Sequence, residues 1–189
     1  MNRPGSVGGD ERVRLFLALR LPDDVLDAVA DWQATRLDGV RTVRRDDLHV
    51  TLAFLGSRPA GDLAGILGAL REAAALAGPD LRLAATGYRE TRSVAMLVLD
   101  DAGGRVAALA DDLQARLERL GVYRREGRQW LPHLTVARFR ERPRLRLEPP
   151  AMGTFVPSDA AAYLSRLRPG GAEYRVLEAV ALGARVGGE

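Results

Sequence analysis

Two segments of this 189-residue chain repeat one pattern, HVTLAFLG at 49–56 and HLTVARFR at 133–140. Each opens on a histidine, places a threonine two positions later and fills the positions between with apolar residues. Such alternation marks a half-buried strand, in which residues i and i+2 point to the same face. His49 and Thr51 therefore project together, as do His133 and Thr135, while Val50, Leu52, Leu134 and Val136 face a packed core. The echo predicts two halves built on a similar plan, each presenting one His-x-Thr pair.

The rest of the chain reads as an α+β protein. Arg12 to Arg20 is apolar enough for a buried strand, and Leu21-Pro22-Asp23-Asp24 carries helix-start signals. Val25, Leu26, Val29, Trp32 and Leu37 then share one helical face. A strand fits Leu48 to Leu55, and helical spacing returns from Gly61 to Leu76. Asp80–Tyr88 and Ser93–Leu99 fit a hairpin, and Asp100 to Gly121 a third helix that starts near Asp101 and is capped by Gly121. Strands are expected at Leu134–Phe139, Ala160–Leu167 and Tyr174–Leu182, the last two joined by a turn at Gly170-Gly171. The Arg/Pro-rich stretch from Arg140 to Pro150 reads as a loop and as the mobile element of the second half. Residues 1–11 read as a flexible lead-in, and 12–189 as one domain of two lobes.

Composition narrows the chemistry. Cysteine is absent, which removes disulfides, thiolate metal sites and cysteine nucleophiles. No run approaches the roughly 18–20 apolar residues of a membrane span, and the N-terminus lacks an apolar signal core. A cytoplasmic protein without membrane contact, monomeric by default, is the expectation. The net charge is +3, and all 28 basic residues are arginine. A positive balance suits a polyanionic partner. An arginine-only profile rich in Ala, Leu, Gly and Val also follows from a GC-rich coding sequence, so composition alone does not establish an RNA partner.

The two repeats use both histidines of the chain. Breaking a phosphodiester needs a base to activate the attacking oxygen and an acid to protonate the leaving one. Imidazole serves both ends near neutral pH, because its unperturbed pKa is about 6.5. The hydroxyls of Thr51 and Thr135 can donate to non-bridging phosphate oxygens, and Arg138, three residues after Thr135, adds a cationic fork for the same oxygens. Zinc would require a carboxylate beside the two histidines, where these strands offer threonine. No metal and no cofactor are expected.

The residues that carry this pattern also resemble a known family. RLFLALRLP at 14–22, LHVTLAFLG at 48–56, PHLTVARFR at 132–140 and YLSRLRPGGAEYRVL at 163–177 are similar, in this order, to the bacterial RNA 2′,3′-cyclic phosphodiesterases. These enzymes, also called 2′-5′ RNA ligases, belong to the 2H phosphoesterase superfamily. The resemblance implies a bilobal α+β fold, with two antiparallel sheets around a central cleft, helices packed outside and halves related by a pseudo-twofold. It implies metal-independent hydrolysis of RNA 2′,3′-cyclic phosphate ends to 2′-phosphates, with reversible 2′-5′ joining in some members. By the same resemblance His49 and His133 are the acid–base pair, with His133 favoured as base and His49 as acid. Thr51, Thr135 and Arg138 then hold the phosphate, and Phe16 falls where the family places an aromatic near the terminal base. The chain departs from the family at Thr42, Arg44, Arg45 and Ala53, which bear on RNA affinity and substrate preference. A ligase, a phosphodiesterase for a small cyclic nucleotide and a non-catalytic RNA-binding protein are the alternative readings.

Overall fold

The computed structural model describes residues 11–183, apart from 79, 126, 128 and 170. The expected lead-in over 1–11 lies outside the described residues except for Glu11, whose carbonyl accepts from the Ala60 amide at 2.8 Å. Of the expected turn at Gly170-Gly171, the first residue also lies outside them. The described residues form nine strands and three helices in the order β1 (Arg12–Arg20), α1 (Asp23–Arg36), β2 (Arg41–Thr42), β3 (Val50–Pro59), α2 (Leu63–Leu76), β4 (Leu83–Glu90), β5 (Val94–Asp101), α3 (Arg105–Arg119), β6 (His133–Arg138), β7 (Thr154–Phe155), β8 (Asp159–Arg168) and β9 (Gly171–Val180).

Local chemistry sets the helix ends. Pro22 fixes the entry to α1, Asp23 and Asp24 sit in its first turn, and Arg36 closes its last, each complementing the helix dipole. The third helix begins at Arg105, later than the sequence reading placed it, because Gly103 and Gly104 turn the chain at φ of 92° and 69°. Asp101 still caps it from a distance: its carboxylate accepts from the Val106 and Ala107 amides at 3.2 and 2.7 Å.

All strand pairs are antiparallel, in the order β7-β4-β5-β6-β3-β1-β8-β9, with β2 laid along β6. Two four-strand groups are joined only where Val50 of β3 meets Leu134 of β6. The structure thus realises the two expected sheets as one continuous sheet that parts beyond a single pair. One face carries the main core, where Leu15, Leu17, Leu19, Leu52, Leu97 and Leu134 pack against Val29, Ile66, Leu70, Leu113 and Leu117 of the helices. Each such fully buried side chain contributes roughly 1.5–3 kcal/mol. A smaller cluster of Phe16, Ala18, Ala161 and Tyr163, with Tyr174 against it, forms separately from that core.

The 140–150 stretch has no regular structure but is tied down. The carboxylate of Glu90, at the end of β4, accepts from the Arg142 side chain and from the Arg144 and Leu145 amides at 3.0, 2.9 and 2.7 Å. Trp32 of α1 donates to the Glu148 carbonyl at 2.9 Å. No helix among the described residues is long and apolar enough to cross a membrane.

Candidate active site

His49 immediately precedes β3 and His133 opens β6, and both rings are held the same way. His49 Nδ1 lies 2.7 Å from the Asp47 carbonyl, and His133 Nδ1 lies 2.9 Å from the Leu131 carbonyl. A carbonyl only accepts, so each Nδ1 carries the proton, and the neutral ring keeps its lone pair on Nε2. Each imidazole is thereby fixed by the backbone two residues upstream, with Nε2 available for proton transfer. Continuing the antiparallel register from Val50–Leu134 places Thr51 level with His133 and His49 level with Thr135. All four side chains are half-buried.

Beyond these residues both strands are bulged at corresponding places. Along β1, Ala18 pairs with Thr51 and Leu17 with Ala53, so Leu52 is the extra residue. Along β5, Met96 pairs with Thr135 and Ala95 with Ala137, so Val136 is extra. Each bulge lies three positions after its histidine, and each reverses the inside–outside alternation of the residues that follow. Leu52 and Ala53 are both buried, as are Val136 and Ala137, and the fifth residue after each histidine, Phe54 or Arg138, returns to the exposed face. Simple alternation would have sent Arg138 to the side opposite His133. The bulge brings it to the histidine side, close enough that its charge acts on His49.

Two glutamines hold the bulged carbonyls. Gln114 of α3 donates to the Leu52 carbonyl at 2.8 Å. Gln33 of α1 donates to the Val136 carbonyl at 2.7 Å and to the Val43 carbonyl at 3.1 Å. They are 6% and 4% exposed. Trp130 takes the Thr51 carbonyl at 3.1 Å. Where β3 and β6 part, side chains thus take the Thr51 and Leu52 carbonyls. At Val136, Gln33 joins the Val43 amide, which donates to the same carbonyl at 2.9 Å, so these carbonyls stay paired. Neither glutamine was identified from sequence, although each is a polar residue four positions after a core residue of its helix, Val29 or Ala110. Such a break in an apolar stripe is the available signal.

His49 sits among aromatic rings. Its centroid is 4.7 Å from Phe16, 5.8 Å from Tyr163 and 5.7 Å from Tyr174, the last edge-on at 81°. Burial pushes its pKa down to about 4, the Asp47 carbonyl opposes this, and the charges of Arg138 and His133 lower it further. Phe16 is placed differently from the expected base contact. It is 3% exposed and stacked on Tyr163 at 4.7 Å and 2°, so it backs His49 instead of offering an open face. A cavity of about 550 Å³ lies beside this cluster, lined by Tyr163, Tyr174, Asp47, Arg20 and Arg44, and does not include the two histidines. Among the described residues no three His, Asp or Glu side chains converge as a cation site requires.

Two backbone-tethered His-x-Thr strands at the parting of one antiparallel sheet define a 2H phosphoesterase. The chain belongs to the 2′-5′ RNA ligase superfamily, whose model matches residues 21–168. It is 33% identical over 187 residues to a Thermus thermophilus protein named RNA 2′,3′-cyclic phosphodiesterase, covering 94% of each chain. An Escherichia coli protein of the same name is 31% identical over 133 residues, covering 68% of this chain and 73% of that one. Among solved structures, a Thermus thermophilus protein superposes with a TM-score of 0.77 at 31% identity, covering 90% of this chain and 98% of that one. Escherichia coli LigT shares the fold, with a TM-score of 0.74 at 24% identity and coverage of 91% and 99%.

Proposed function

We propose that this protein hydrolyses RNA 2′,3′-cyclic phosphate ends to 2′-phosphates by metal-independent acid–base catalysis. The observation that carries this reading is the matched pair of imidazoles, each with Nδ1 tied to a backbone carbonyl and a threonine on the same strand face. His133 Nε2 takes a proton from water, whose oxygen attacks phosphorus. The P–O3′ bond breaks, and protonated His49 returns a proton to O3′. Thr51, Thr135 and Arg138 hold the non-bridging oxygens, where charge accumulates. The curated relatives that share this chain's sequence over most of its length carry the name of this activity.

The acid role sets a condition on His49, which burial keeps neutral at pH 7 in the unliganded site. Raising its pKa from about 4 to about 7 takes roughly 4 kcal/mol. A phosphate anion about 4 Å away supplies about 4 kcal/mol at an effective dielectric constant near 20. The substrate therefore charges its own acid on binding. Attack by a ribose hydroxyl in place of water would join two RNA ends by the same route. Hydrolysis is the reading favoured here, because Arg138 is exposed to bulk water and the named relatives are phosphodiesterases.

The test is incubation of an oligonucleotide ending in a 2′,3′-cyclic phosphate with the protein in EDTA, with the product followed by phosphorus NMR. A 2′-phosphate formed at an EDTA-independent rate supports the reading. A 3′-phosphate, or activity lost in EDTA and restored by zinc or magnesium, contradicts it.

A further inference from the structure

We infer that Gln33 is a positioning residue that aims Arg138 at the reacting phosphate by holding the β6 bulge. The inference rests on the phosphodiesterase reading above and adds a residue distant from the histidines in sequence. Arg138 reaches the histidine side only because Val136 is an extra residue in its strand. A bulge removes one register contact and leaves the local ladder looser unless something else holds it. Here the holder is the Gln33 amide, one donor group binding the Val136 carbonyl at 2.7 Å and the Val43 carbonyl at 3.1 Å. The Val43 amide binds the same Val136 carbonyl at 2.9 Å. Gln33 thus clamps the bulge to the segment that continues β2, and β2 pairs Arg41 with Arg138 itself.

The other half provides an internal comparison. Gln114 of α3 binds the bulged carbonyl of Leu52, and the residue that this bulge returns to the exposed face is Phe54, which carries no charge. The connections cross over. Helix α1 follows β1 of one strand group yet grips β6 of the other, and α3 follows β5 of that second group yet grips β3 of the first. Each half thereby fixes the catalytic strand of its opposite. If both glutamines were only packing elements, their loss would act alike on every catalytic group. The geometry ties Gln33 specifically to Arg138.

A double-mutant cycle separates the two roles. Arg138→Ala is expected to lower kcat about 100-fold, as loss of a charge-stabilising donor does. Gln33→Met, which keeps the length and removes the donor, is expected to lower kcat about 10- to 100-fold through misplacement of Arg138. In the Arg138→Ala background the same Gln33→Met change is expected to cost about twofold or less, because nothing remains to be aimed. Gln114→Met is expected to cost the same factor with and without Arg138. Equal losses from Gln33→Met in both backgrounds overturn the inference, and so does a Gln114→Met loss that vanishes with Arg138. Gln33→Glu runs the same cycle should the methionine variant fail to fold. The cycle is also read on affinity for inorganic phosphate. A wild type inert on every cyclic phosphate sinks the functional reading, while the phosphate cycle still decides whether Gln33 aims Arg138.

Discussion

The titration of His49 joins the fold to the chemistry. Burial against Phe16, Tyr163 and Tyr174 lowers its pKa from 6.5 to about 4, so the free protein holds a neutral imidazole throughout the physiological range. Adding inorganic phosphate to the two-histidine site is the perturbation. One anionic charge about 4 Å from the ring, at an effective dielectric constant near 20, is worth about 4 kcal/mol. That corresponds to a rise of about three pH units, to near 7. Proton NMR of the imidazole C2 protons reads this directly, because the chain has only two histidines and His133→Ala assigns them. The expected result is a His49 midpoint near 4 without phosphate and near 7 with saturating phosphate. A free-protein midpoint at 6.5, or a midpoint that phosphate leaves in place, refutes the reasoning.

Three further outcomes follow from the same structure. Because the folded pKa of His49 is depressed, the unfolded chain binds the extra proton, and stability rises with pH between about 4 and 6.5. Its contribution is complete above 6.5 and reaches roughly 3 kcal/mol at most, so urea midpoints of wild type and His49→Phe should diverge on acidification. Glu90→Ala removes the acceptor for the Arg144 and Leu145 amides and the Arg142 side chain, and should cost about 2–4 kcal/mol in urea unfolding and admit protease cleavage within 140–150. Cleavage no faster than in wild type would show that the loop is held elsewhere. Thr51→Ala and Thr135→Ala should each lower kcat about 100-fold with little change in unfolding midpoint. A loss confined to KM would assign them to substrate binding instead.

Much of this architecture was legible because it rests on periodicity. The apolar alternation around His49 and His133 marks both histidine-bearing strands, and the helical spacing of Val25, Val29 and Trp32 marks α1. Boundaries moved where backbone geometry intervened, as when Gly103 and Gly104 delayed α3. The bulges were not legible, since an extra residue in a strand appears only against its partner's register. That is why simple alternation sends Arg138 to the side opposite His133, and why nothing in the sequence alone ties Gln33 and Gln114 to the site. Phe16 was found in sequence as an aromatic of the first strand, but only the packing of Tyr163 and Tyr174 shows that it backs His49. The 140–150 stretch reads as a mobile loop from composition alone, because the carboxylate that anchors it lies far upstream at Glu90.

The most direct test of the two-histidine account is the single-turnover rate of cyclic phosphate opening by wild type, His49→Ala, His133→Ala and the double variant. The account predicts that each single variant loses at least about 100-fold and that the double variant is scarcely slower than either, because the pair acts as a unit. Near wild-type rates in either single variant, with the fold intact, would contradict it.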